Sequence, residues 1–498
     1  MRLSELLEER GMDQRALKDL DITGLTADSR AVQPGYLFAA LPGAIQDGRR
    51  YIDEAVRRGA TAVLAPPGTN LAAGRTEMAE YPPGVRLITD SNPRQRFALI
   101  AARFFGAQPG TIAAVTGTNG KTSVAHFTQQ IWSRLGYQAG YLGTLGAMSP
   151  GLQLQGNLTT PDPAKLHTVL ADMAARSVTH LAMEASSHGL HQFRVDGVKV
   201  AVAGFTNMTR DHLDYHGSMA AYMAAKLRLF SDVLVPGGTA VLNADSTECA
   251  AFEMACRLRG HRLMTYGKVG DALRVVKVET DGAGQMLDLV ILKKAYRLRL
   301  PLAGTFQVAN ALCALGFALA AGADRDKSVA ALEHLEGVPG RLERVGATAE
   351  GAPIYVDYAH TPDALDAVLR ALRPHAPRRL VVVFGCGGDR DKGKRRVMGD
   401  AAARLADTIY VTDDNPRSEN AEAIRREVML GCPTATDIAD RAEAIALAVH
   451  GLAAGDVLLV AGKGHETGQI VGLEVIPFND AEAVRKILGA SSGRGGRS

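Results

Sequence analysis

Short apolar runs alternate with amphipathic segments along most of the chain, and this alternation predicts strands that alternate with helices. Buried strands are predicted at residues 61–65, 111–115, 180–184, 201–205, 354–356, 380–384, 408–411 and 457–461. Helices are predicted at residues 49–58, 93–105, 121–135, 222–230, 311–323, 362–373 and 421–430. Strands that alternate with helices are typical of a doubly wound, mostly parallel sheet, so the predicted fold class is α/β.

The length and the punctuation of the chain predict several domains. A chain of 498 residues is long enough for about three domains with large buried cores. We predict domains at residues 1–90, 91–338 and 339–490, with the glycine- and proline-rich segment 337–340 as the second linker. Residues 491–498 are rich in Gly, Ser and Arg and are predicted to form a disordered tail.

Charge and composition narrow the class of protein. The formal net charge of +3 is too small for this length to favour nucleic acid or a membrane surface as a partner. The charged N-terminus does not resemble a signal peptide, and the most apolar segment, 311–323, is too short to span a membrane. The five cysteines form no C-x-x-C pair, which favours reduced thiols over a disulfide framework or a zinc site. We therefore expect a cytoplasmic protein.

Residues 111–135 combine a strand, a glycine turn, a Lys-Thr pair and a helix. Gly117 and Gly120 allow backbone N–H groups to approach an anion, and Lys121 adds a full positive charge at the helix N-terminus. Thr122 is placed to contact Mg²⁺ through its hydroxyl. Only two residues separate the glycines, whereas a Walker loop has four, so an ordinary strand-to-helix turn is the alternative. The flanking strand and helix favour a phosphate-binding loop.

Polar residues follow the next two predicted strands. Glu184 ends the strand at 180–184, and His212 follows the strand at 201–205. The carboxyl ends of parallel strands are where an open α/β sheet places its chemistry. With Thr122, the two side chains are candidates for a Mg²⁺ site. Taken singly, each is equally explained as a hydrogen-bonded polar residue at a strand end.

Lys226 shares one helix face with Tyr222 and Phe230. A lysine on an apolar face is costly unless it is paired or chemically modified. The alternative is that its ammonium group reaches solvent past the apolar neighbours.

Loops with charges of both signs follow the strands of the last domain. Arg390, Arg417 and Glu466 come from three such loops, and together they suit a zwitterionic ligand. In isolation, Ser418 is interpreted as a helix N-cap and Lys463 as a surface cation.

Eleven short segments, taken together, resemble the Mur ligase family, and the resemblance covers nearly the whole chain. They are DSR at 28–30, TGTNGKT at 116–122, NLTTPD at 157–162, MEASSHGL at 183–190, TRDHLDYHG at 209–217, YMAAK at 222–226, FQVAN at 306–310, GRLE at 340–343, DYAHTP at 357–362, DNPR at 414–417 and AGKGHE at 461–466. The short glycine spacing is the form found in that family. One small departure is Gly189, where alanine is commoner.

The resemblance implies an N-terminal domain that binds a UDP substrate, a central P-loop-type ATPase and a C-terminal, Rossmann-like domain that binds an amino acid. It implies that ATP, with Mg²⁺, phosphorylates the D-glutamyl carboxylate of UDP-N-acetylmuramoyl-L-alanyl-D-glutamate. The amine of meso-2,6-diaminopimelate then attacks the acyl phosphate, in peptidoglycan precursor synthesis. Alternatives are a lysine-adding counterpart, a folylpolyglutamate synthetase-like ligase, an ATP hydrolase or a nucleotide-sensing module. A monomer is expected.

The resemblance also implies roles for individual residues, and Lys121, Lys226 and His212 are the implied catalytic residues. The implied ATP site comprises Gly117, Thr118, Asn119, Gly120, Lys121, Thr122, Asn310, Arg341 and Asp357. The implied dipeptide site comprises Ser29, Arg30, Thr159, Thr160, Ser187, Gln192 and Arg194. The implied diaminopimelate site comprises Arg390, Asp414, Asn415, Pro416, Arg417, Gly462 and Glu466. Thr122 is implied to hold one Mg²⁺, and Glu184, His212 and a carbamylated Lys226 a second. Without the resemblance, Ser29 and Arg30 are interpreted as a simple turn.

Overall fold

The computed structural model describes residues 1–7, 19–43, 46–70, 84–156 and 158–492. The chain divides into two compact units. The first consists of Met1–Met264 with Phe317–Ala323, and the second of Thr265–Gly316 with Asp324–Ser498. Asn157 of the NLTTPD segment and residues 493–498 of the predicted tail lie outside the described residues.

The first unit opens with a small four-stranded parallel sheet. Its strands, in spatial as well as chain order, are β1 (Gly24–Thr26), β2 (Tyr36–Ala39), β3 (Ala62–Ala65) and β4 (Arg86–Thr89). Helices α1 (Leu3–Leu7), α2 (Ile52–Arg57) and α3 (Pro93–Phe105) accompany it, with short 3-10 helices at Ser29–Ala31 and Gly48–Tyr51. Side chains alternate across β2, so Leu37 packs in one cluster with Phe97 while Phe38 packs in another with Val56.

A larger sheet follows in the same unit. Its strands are β5 (Thr111–Thr116), β6 (Ala139–Gly143), β7 (Gly146–Ser149), β8 (Leu152–Leu154), β9 (His180–Glu184), β10 (Val200–Phe205) and β11 (Leu234–Asn243), in spatial order β11-β10-β5-β9-β6-β7-β8. All pairings from β11 to β6 are parallel, and β7 and β8 add antiparallel strands at the edge. Because β5 lies between β9 and β10, the carboxyl ends of these three strands are adjacent.

Helices connect the strands of this sheet. They are α4 (Lys121–Arg134), α5 (Pro163–Ala175), α6 (Ser187–His191), α7 (Leu213–His216), α8 (Met219–Arg228) and α9 (Cys249–Leu258), with a π-helical turn at Leu229–Val233. Phe205 of β10 stacks on Phe252 of α9, with ring centroids 3.8 Å apart, within the core beneath the sheet.

The next part of the chain forms β12 (Arg262–Gly267), β13 (Leu273–Asp281), β14 (Gly284–Ile291) and β15 (Lys294–Leu300). Strands β13, β14 and β15 pair antiparallel. The apolar pattern of the sequence predicts no strand here, because an antiparallel sheet with one solvated face has no continuous apolar run. In β14, buried Leu287 and Leu289 alternate with the half-buried Asp288.

Helices α10 (Thr305–Ala320) and α11 (Arg325–Ala331) lead into a six-stranded sheet. Its strands are β16 (Glu343–Ala347), β17 (Pro353–Asp357), β18 (Leu380–Phe384), β19 (Thr408–Val411), β20 (Thr436–Asp437) and β21 (Val457–Ala461), in spatial order β16-β17-β21-β18-β19-β20. Only the edge strand β16 is antiparallel. The helices are α12 (Pro362–Leu372), α13 (Gly393–Leu405), α14 (Ala421–Met429), α15 (Arg441–His450) and α16 (Asp480–Ser492), and β22 (Gly468–Val471) and β23 (Glu474–Pro477) form a separate hairpin.

The predicted α/β class with mostly parallel sheets is confirmed. Helix α16 continues to Ser492, two residues into the predicted tail. All five cysteines are buried and unpaired, as predicted, and burial raises the pKa of the Cys386 thiol to about 12. Among the described helices, none is long and apolar enough to cross a membrane.

We expect the stability of the first unit to fall in acid, because the unit contains a buried histidine. His167 of α5 is almost fully buried, and burial lowers its pKa to about 4 from the usual 6.5. The unfolded chain therefore binds a proton that the folded chain does not, and stability is lost as the pH falls from 6.5 towards 4. The His167→Gln variant should lose about 2 kcal/mol less than the wild type between pH 7 and pH 4.5 in urea titrations. His334→Gln, at an exposed position, is the control, and equal pH dependence in all three proteins would contradict the assignment.

Candidate active site

The loop between β5 and α4 has the backbone geometry of an anion cradle. Gly117 has φ +148°, and a Cβ atom there would collide with the Thr206 hydroxyl, so no other residue fits. Gly120 has φ +87° and immediately precedes α4. The end of β10 holds the loop: Thr206 donates to the carbonyl of Asn119 (2.6 Å), and the Asn207 side chain accepts from its N–H (3.0 Å). The phosphate-loop interpretation is thus supported by tertiary as well as local structure.

Two lysines converge on one carbonyl of this loop. Lys121 Nζ donates to the carbonyls of Gly117 (2.9 Å) and Thr118 (2.8 Å). Lys226 Nζ donates to the same Gly117 oxygen at 2.6 Å and is only 1% exposed. Burial, followed by the charge of Lys121, holds the pKa of Lys226 well below its usual value. The alternative in which Lys226 reaches solvent is therefore wrong, because its amine is buried against the Gly117 carbonyl.

Glu184 is fully buried at the end of β9, where four hydrogen bonds hold its carboxylate. Tyr141 donates its hydroxyl to Oε1 (2.6 Å), and Thr144 donates its N–H to Oε1 (2.8 Å) and its hydroxyl to Oε2 (3.2 Å). Thr122 donates its hydroxyl to Oε2 at 3.1 Å. The residue pattern predicts one Mg²⁺ site that includes Thr122 and Glu184, whereas the resemblance implies a separate ion for each. In the structure the two side chains contact each other, so this buried pair of oxygen donors fits one Mg²⁺.

The contacts that the structure gives for the His212 side chain do not include Thr122 or Glu184. Its backbone has φ +52°, its ring nitrogen lies 3.4 Å from Asp211, and its ring packs edge-on against His188 at 4.8 Å. No hydrogen bond joins its side chain to Glu184 or Lys226 among the described residues. Within the same ranges, no group of three His, Cys, Asp or Glu residues is arranged to hold a metal ion. The chain's own side chains therefore supply only part of a coordination sphere.

Three of the residues that the resemblance implies for the dipeptide, Thr160, Gln192 and Arg194, form a hydrogen-bonded group beside Glu184. Thr160 donates to the Glu184 carbonyl (3.1 Å) and accepts, through its own carbonyl, from Arg194 (2.8 Å). The Arg194 guanidinium also donates to Gln192 Oε1 (2.7 Å). The Thr159 hydroxyl lies 3.0 Å from that of Thr144.

Two residues that the site assignment omitted complete this group. The Tyr215 hydroxyl accepts from Gln192 (2.9 Å) and lies 2.9 Å from His191 Nδ1. His216 Nε2 lies 3.1 Å from the Ser187 hydroxyl, and burial lowers the pKa of His216 to about 4, so its ring is neutral at pH 7. Tyr215 and His216 both belong to the TRDHLDYHG segment, and this position in the sequence could have indicated that they lie at the site.

Ser29 and Arg30 lie in the small sheet region that opens the chain. The Ser29 hydroxyl donates to Glu54 (2.8 Å), and Arg30 pairs with Asp28 (2.8 Å) at the surface. Asp28 also caps the 3-10 helix by accepting from the Arg30 N–H. The turn interpretation is therefore confirmed as a structural role, while uridine binding stays a prediction.

A buried lysine organises the candidate amino-acid site at the end of β21. Lys463 is completely buried, so the surface-cation interpretation is wrong. Its Nζ donates to Glu466 (3.0 Å) and to Asn415 Oδ1 (3.1 Å), and Asn415 in turn donates to Glu466 (2.9 Å). Asp414 is buried beside Gly462, where a Cβ atom would lie 2.7 Å from its carboxylate, and burial raises the Asp414 pKa. Carboxylates and amides thus converge where an ammonium group can bind.

Arg417 follows in the same loop and has an unusual backbone. Its φ of +51° lies in the left-handed region, which costs about 1–2 kcal/mol for a residue with a Cβ atom. Its Nη1 donates to the Gly388 carbonyl at 2.8 Å. Arg390 is exposed, and its guanidinium donates to the carbonyl of Asp389 (3.1 Å). The predicted N-cap role of Ser418 is wrong, because Asn420 caps α14 and the Ser418 hydroxyl donates to Asp389 (2.6 Å).

The remaining residues assigned to ATP lie in the second unit. Asn310 donates to Gln307 (2.9 Å), and the Arg341 guanidinium lies 4.8 Å from the centre of the Tyr358 ring. Asp357 is buried and accepts from the Leu342 N–H at 2.6 Å. Burial, opposed by Arg341, raises the Asp357 pKa to about 6.

A glycine cradle at the end of a parallel strand, with a buried carboxylate and two lysines beside it, defines a phosphate-binding α/β protein. Three family models match the chain: the Mur ligase family catalytic domain at 21–105, the Mur ligase middle domain at 115–318, and the Mur ligase glutamate ligase domain at 340–464. The chain belongs to the Mur ligase family.

Full-length relatives agree with this assignment. The UDP-N-acetylmuramoyl-L-alanyl-D-glutamate–2,6-diaminopimelate ligase of Bradyrhizobium diazoefficiens is 53% identical over 496 residues, which covers 98% of this chain and 99% of the relative. The ligase of the same name from Rhizobium meliloti is 52% identical and covers 94% of this chain and 95% of its own length.

Solved structures agree as well. One with the same ligase name superposes with a TM-score of 0.72 at 32% identity and covers 99% of both chains. The MurF ligase of Thermotoga maritima in complex with ADP superposes with a TM-score of 0.62 over 96% of this chain and all of its own. At 18% identity, that second likeness concerns the fold alone.

Proposed function

We propose that the chain joins meso-2,6-diaminopimelate to UDP-N-acetylmuramoyl-L-alanyl-D-glutamate in an ATP-dependent ligase reaction of peptidoglycan precursor synthesis. The observation that carries the proposal is the full-length likeness, at about half of all positions, to relatives named for this reaction. The site geometry supports it, because a phosphate cradle, a buried oxygen pair and a group of polar side chains lie at adjacent strand ends. Alternatives without amide-bond formation leave the charged loops around Arg417 and Glu466 unexplained.

The reaction needs activation of a carboxylate, because a carboxylate does not react with an amine in neutral water. Transfer of the γ-phosphoryl group of ATP to the D-glutamyl carboxylate turns one of its oxygens into a leaving group. The loop N–H groups of residues 117–120 and the Lys121 ammonium group bind the phosphates and offset their negative charge. Lys121 exchanges the two loop carbonyls for phosphate oxygens when ATP binds.

Thr122 and Glu184 are the residues we propose to hold Mg²⁺, which supplies additional charge neutralisation at the phosphates. Lys226 serves this centre best as a carbamate. Its buried amine, once deprotonated, would attack CO₂: the C–N bond forms while one C=O π bond of CO₂ breaks, and the nitrogen releases its proton to water. The product is an anion, which the positive charge of the neighbouring Lys121 favours. His212 completes the proposed group of catalytic residues.

The amino acid is proposed to bind at the loops that end β18, β19 and β21. Asp414, Asn415 and Glu466 present oxygen atoms to an ammonium group, and Arg417 presents its guanidinium to a carboxylate.

We further propose a monomeric, cytoplasmic protein with domains at residues 1–90, 91–338 and 339–490. The family models at 115–318 and 340–464 lie within the second and third of these ranges, whereas the first model, at 21–105, extends past residue 90.

A coupled ADP-release assay tests the function. The enzyme is incubated with ATP, Mg²⁺ and a panel of amino acids, with and without the UDP-muramoyl dipeptide. We expect ADP release only when both the dipeptide and meso-diaminopimelate are present. Release without an amino acid would indicate a hydrolase, release with L-lysine a lysine-adding enzyme, and release with folate and glutamate a folylpolyglutamate synthetase.

The Lys121→Ala variant is expected to lower turnover by at least about 10²-fold, because the positive charge that faces the transferred phosphoryl group is lost. Lys121 is half-buried at a loop, so the melting temperature should stay close to that of the wild type. Steady-state kinetics and thermal melts are measured together. Lys165→Ala, at an exposed position of α5, is the matched control. Near-normal turnover in folded Lys121→Ala protein would remove Lys121 from the mechanism.

A further inference from the structure

The backbone of Arg417 is held by the hairpin of β22 and β23, here named the site hairpin (residues 468–477). The Arg417 N–H donates to the carbonyl of Ile470 at 3.0 Å, and its carbonyl accepts from the N–H of Gly472 at 2.8 Å. Arg417 and Val471 form a parallel bridge, so this residue lies alongside the hairpin as a short third strand. Both backbone polar groups of a residue with φ +51° are therefore bonded to one element.

The same strand also binds the two residues that start the DNPR segment. The Ile470 N–H donates to Asn415 Oδ1 at 2.9 Å, and the Gln469 side chain donates to the carbonyl of Asp414 at 2.6 Å. Strand β22 and the residue after it thus make four hydrogen bonds to residues 414–417.

Two glycines hold the loop from another side. A Cβ atom at Gly388 would collide with the carbonyl of Pro416, and one at Gly387 would lie 2.8 Å from Arg417 Nη1. The Gly388 carbonyl accepts the hydrogen bond from that same Nη1. The guanidinium and the backbone of Arg417 are therefore restrained by separate elements, the glycines and the site hairpin.

The site hairpin has little core of its own. Leu473 at its turn is fully exposed, and Val475 of β23 is 66% exposed. An isolated two-stranded hairpin is marginally stable in water, so its bonds to residues 414–417 contribute to its order. The site hairpin and residues 414–417 therefore stabilise each other's conformation.

We propose that the site hairpin is a positioning element for the amino-acid substrate, acting through Arg417. The inference rests on the proposed function, in which the Arg417 guanidinium binds the distal carboxylate of meso-diaminopimelate. Two-point binding of a carboxylate requires the planar guanidinium to have a fixed orientation, and a left-handed backbone that relaxes would rotate it away. The exposed apolar side chains of the hairpin are not needed for this role.

Two variants test the inference, and each removes a different hydrogen bond between the site hairpin and residues 414–417. Gln469→Ala removes the bond to the Asp414 carbonyl. Gly472→Pro removes the N–H that binds the Arg417 carbonyl and also displaces the turn, because Gly472 has φ +60° and proline requires about −65°. Leu473→Ala, at the exposed turn between the strands, is the matched control. We expect both test variants to raise the KM for meso-diaminopimelate by about 10- to 100-fold. The KM values for ATP and for the UDP-muramoyl dipeptide should stay near those of the wild type, as should all constants of Leu473→Ala.

Either of two results would overturn the inference: an unchanged KM for the amino acid in Gln469→Ala, or a parallel rise of all three KM values with a lowered melting temperature. If Gly472→Pro does not fold, Gln469→Ala decides alone. A wild type that uses a different amino acid would refute the proposed function separately. The KM of the variants for that amino acid would then decide the role of the hairpin.

Discussion

The Arg417→Ala variant is expected to lose nearly all of its ability to use meso-diaminopimelate. This amino acid differs from lysine by a second carboxylate, and the Arg417 guanidinium can bind it through two charge-assisted hydrogen bonds. L-lysine would leave that guanidinium desolvated without a partner, and such a missing partner can cost about 10⁴-fold in discrimination. The wild type should therefore prefer meso-diaminopimelate strongly, and the variant should retain little of this preference.

The measurement is kcat/KM for both amino acids in the wild type and the variant. Arg426→Ala is the matched control, because Arg426 lies on the following helix α14 with a side chain that is 69% exposed. Its kinetic constants should match those of the wild type. A wild type that prefers lysine, or an Arg417→Ala protein that keeps its efficiency with meso-diaminopimelate, would show that Arg417 only connects two loops.

Replacement of Lys226 is expected to have the second large effect. Lys226→Ala should lower turnover by about 10³-fold, because the centre beside the phosphate loop loses an anionic oxygen ligand. Short carboxylates such as acetate should restore part of the activity by occupying the vacated space. Lys226→Arg keeps the positive charge but cannot form a carbamate, so it should remain inactive, with or without acetate.

Turnover is measured with and without added carboxylate and at two CO₂ concentrations. Lys199→Ala, at an exposed position before β10, controls for the loss of a lysine. Full activity in Lys226→Arg would indicate that the side chain acts as a cation. Inactivity of Lys226→Ala together with a large fall in melting temperature would point to packing against Tyr222, whose ring centre lies 4.3 Å from Lys226 Nζ.

Local hydrophobic patterns were sufficient to predict a strand where one continuous segment of the chain contains the whole pattern. The apolar runs that predict β9, β18 and β21 are continuous because both faces of a parallel sheet are covered. The antiparallel strands β13–β15 escaped prediction because their burial alternates. The site hairpin escaped as well, since its two strands have only four residues each and their apolar residues are adjacent in pairs instead of alternating with polar ones.

The phosphate loop was predictable from its own residues, but the contacts of the site were not. Thr122 and Glu184 are 62 residues apart, and Lys226 and the Gly117 carbonyl 109 residues apart. Residues so far apart in the sequence come into contact only because the strand order of the sheet brings their segments together. The Thr122–Glu184 pair illustrates this limit, because residue type and strand position predict a shared site but do not show that the two side chains touch.

The sequence by itself determined the α/β class, the glycine loop between β5 and α4, the family and the residue types at each strand end, because these depend on local periodicity and on short motifs. Only the tertiary structure decided the burial of Lys226 and Lys463, the neutral state of His216 and the left-handed backbone of Arg417. Burial and pKa depend on what other segments place around a side chain. For that reason, a lysine that looks like a surface cation in the sequence lies in the structure at the centre of the candidate amino-acid site.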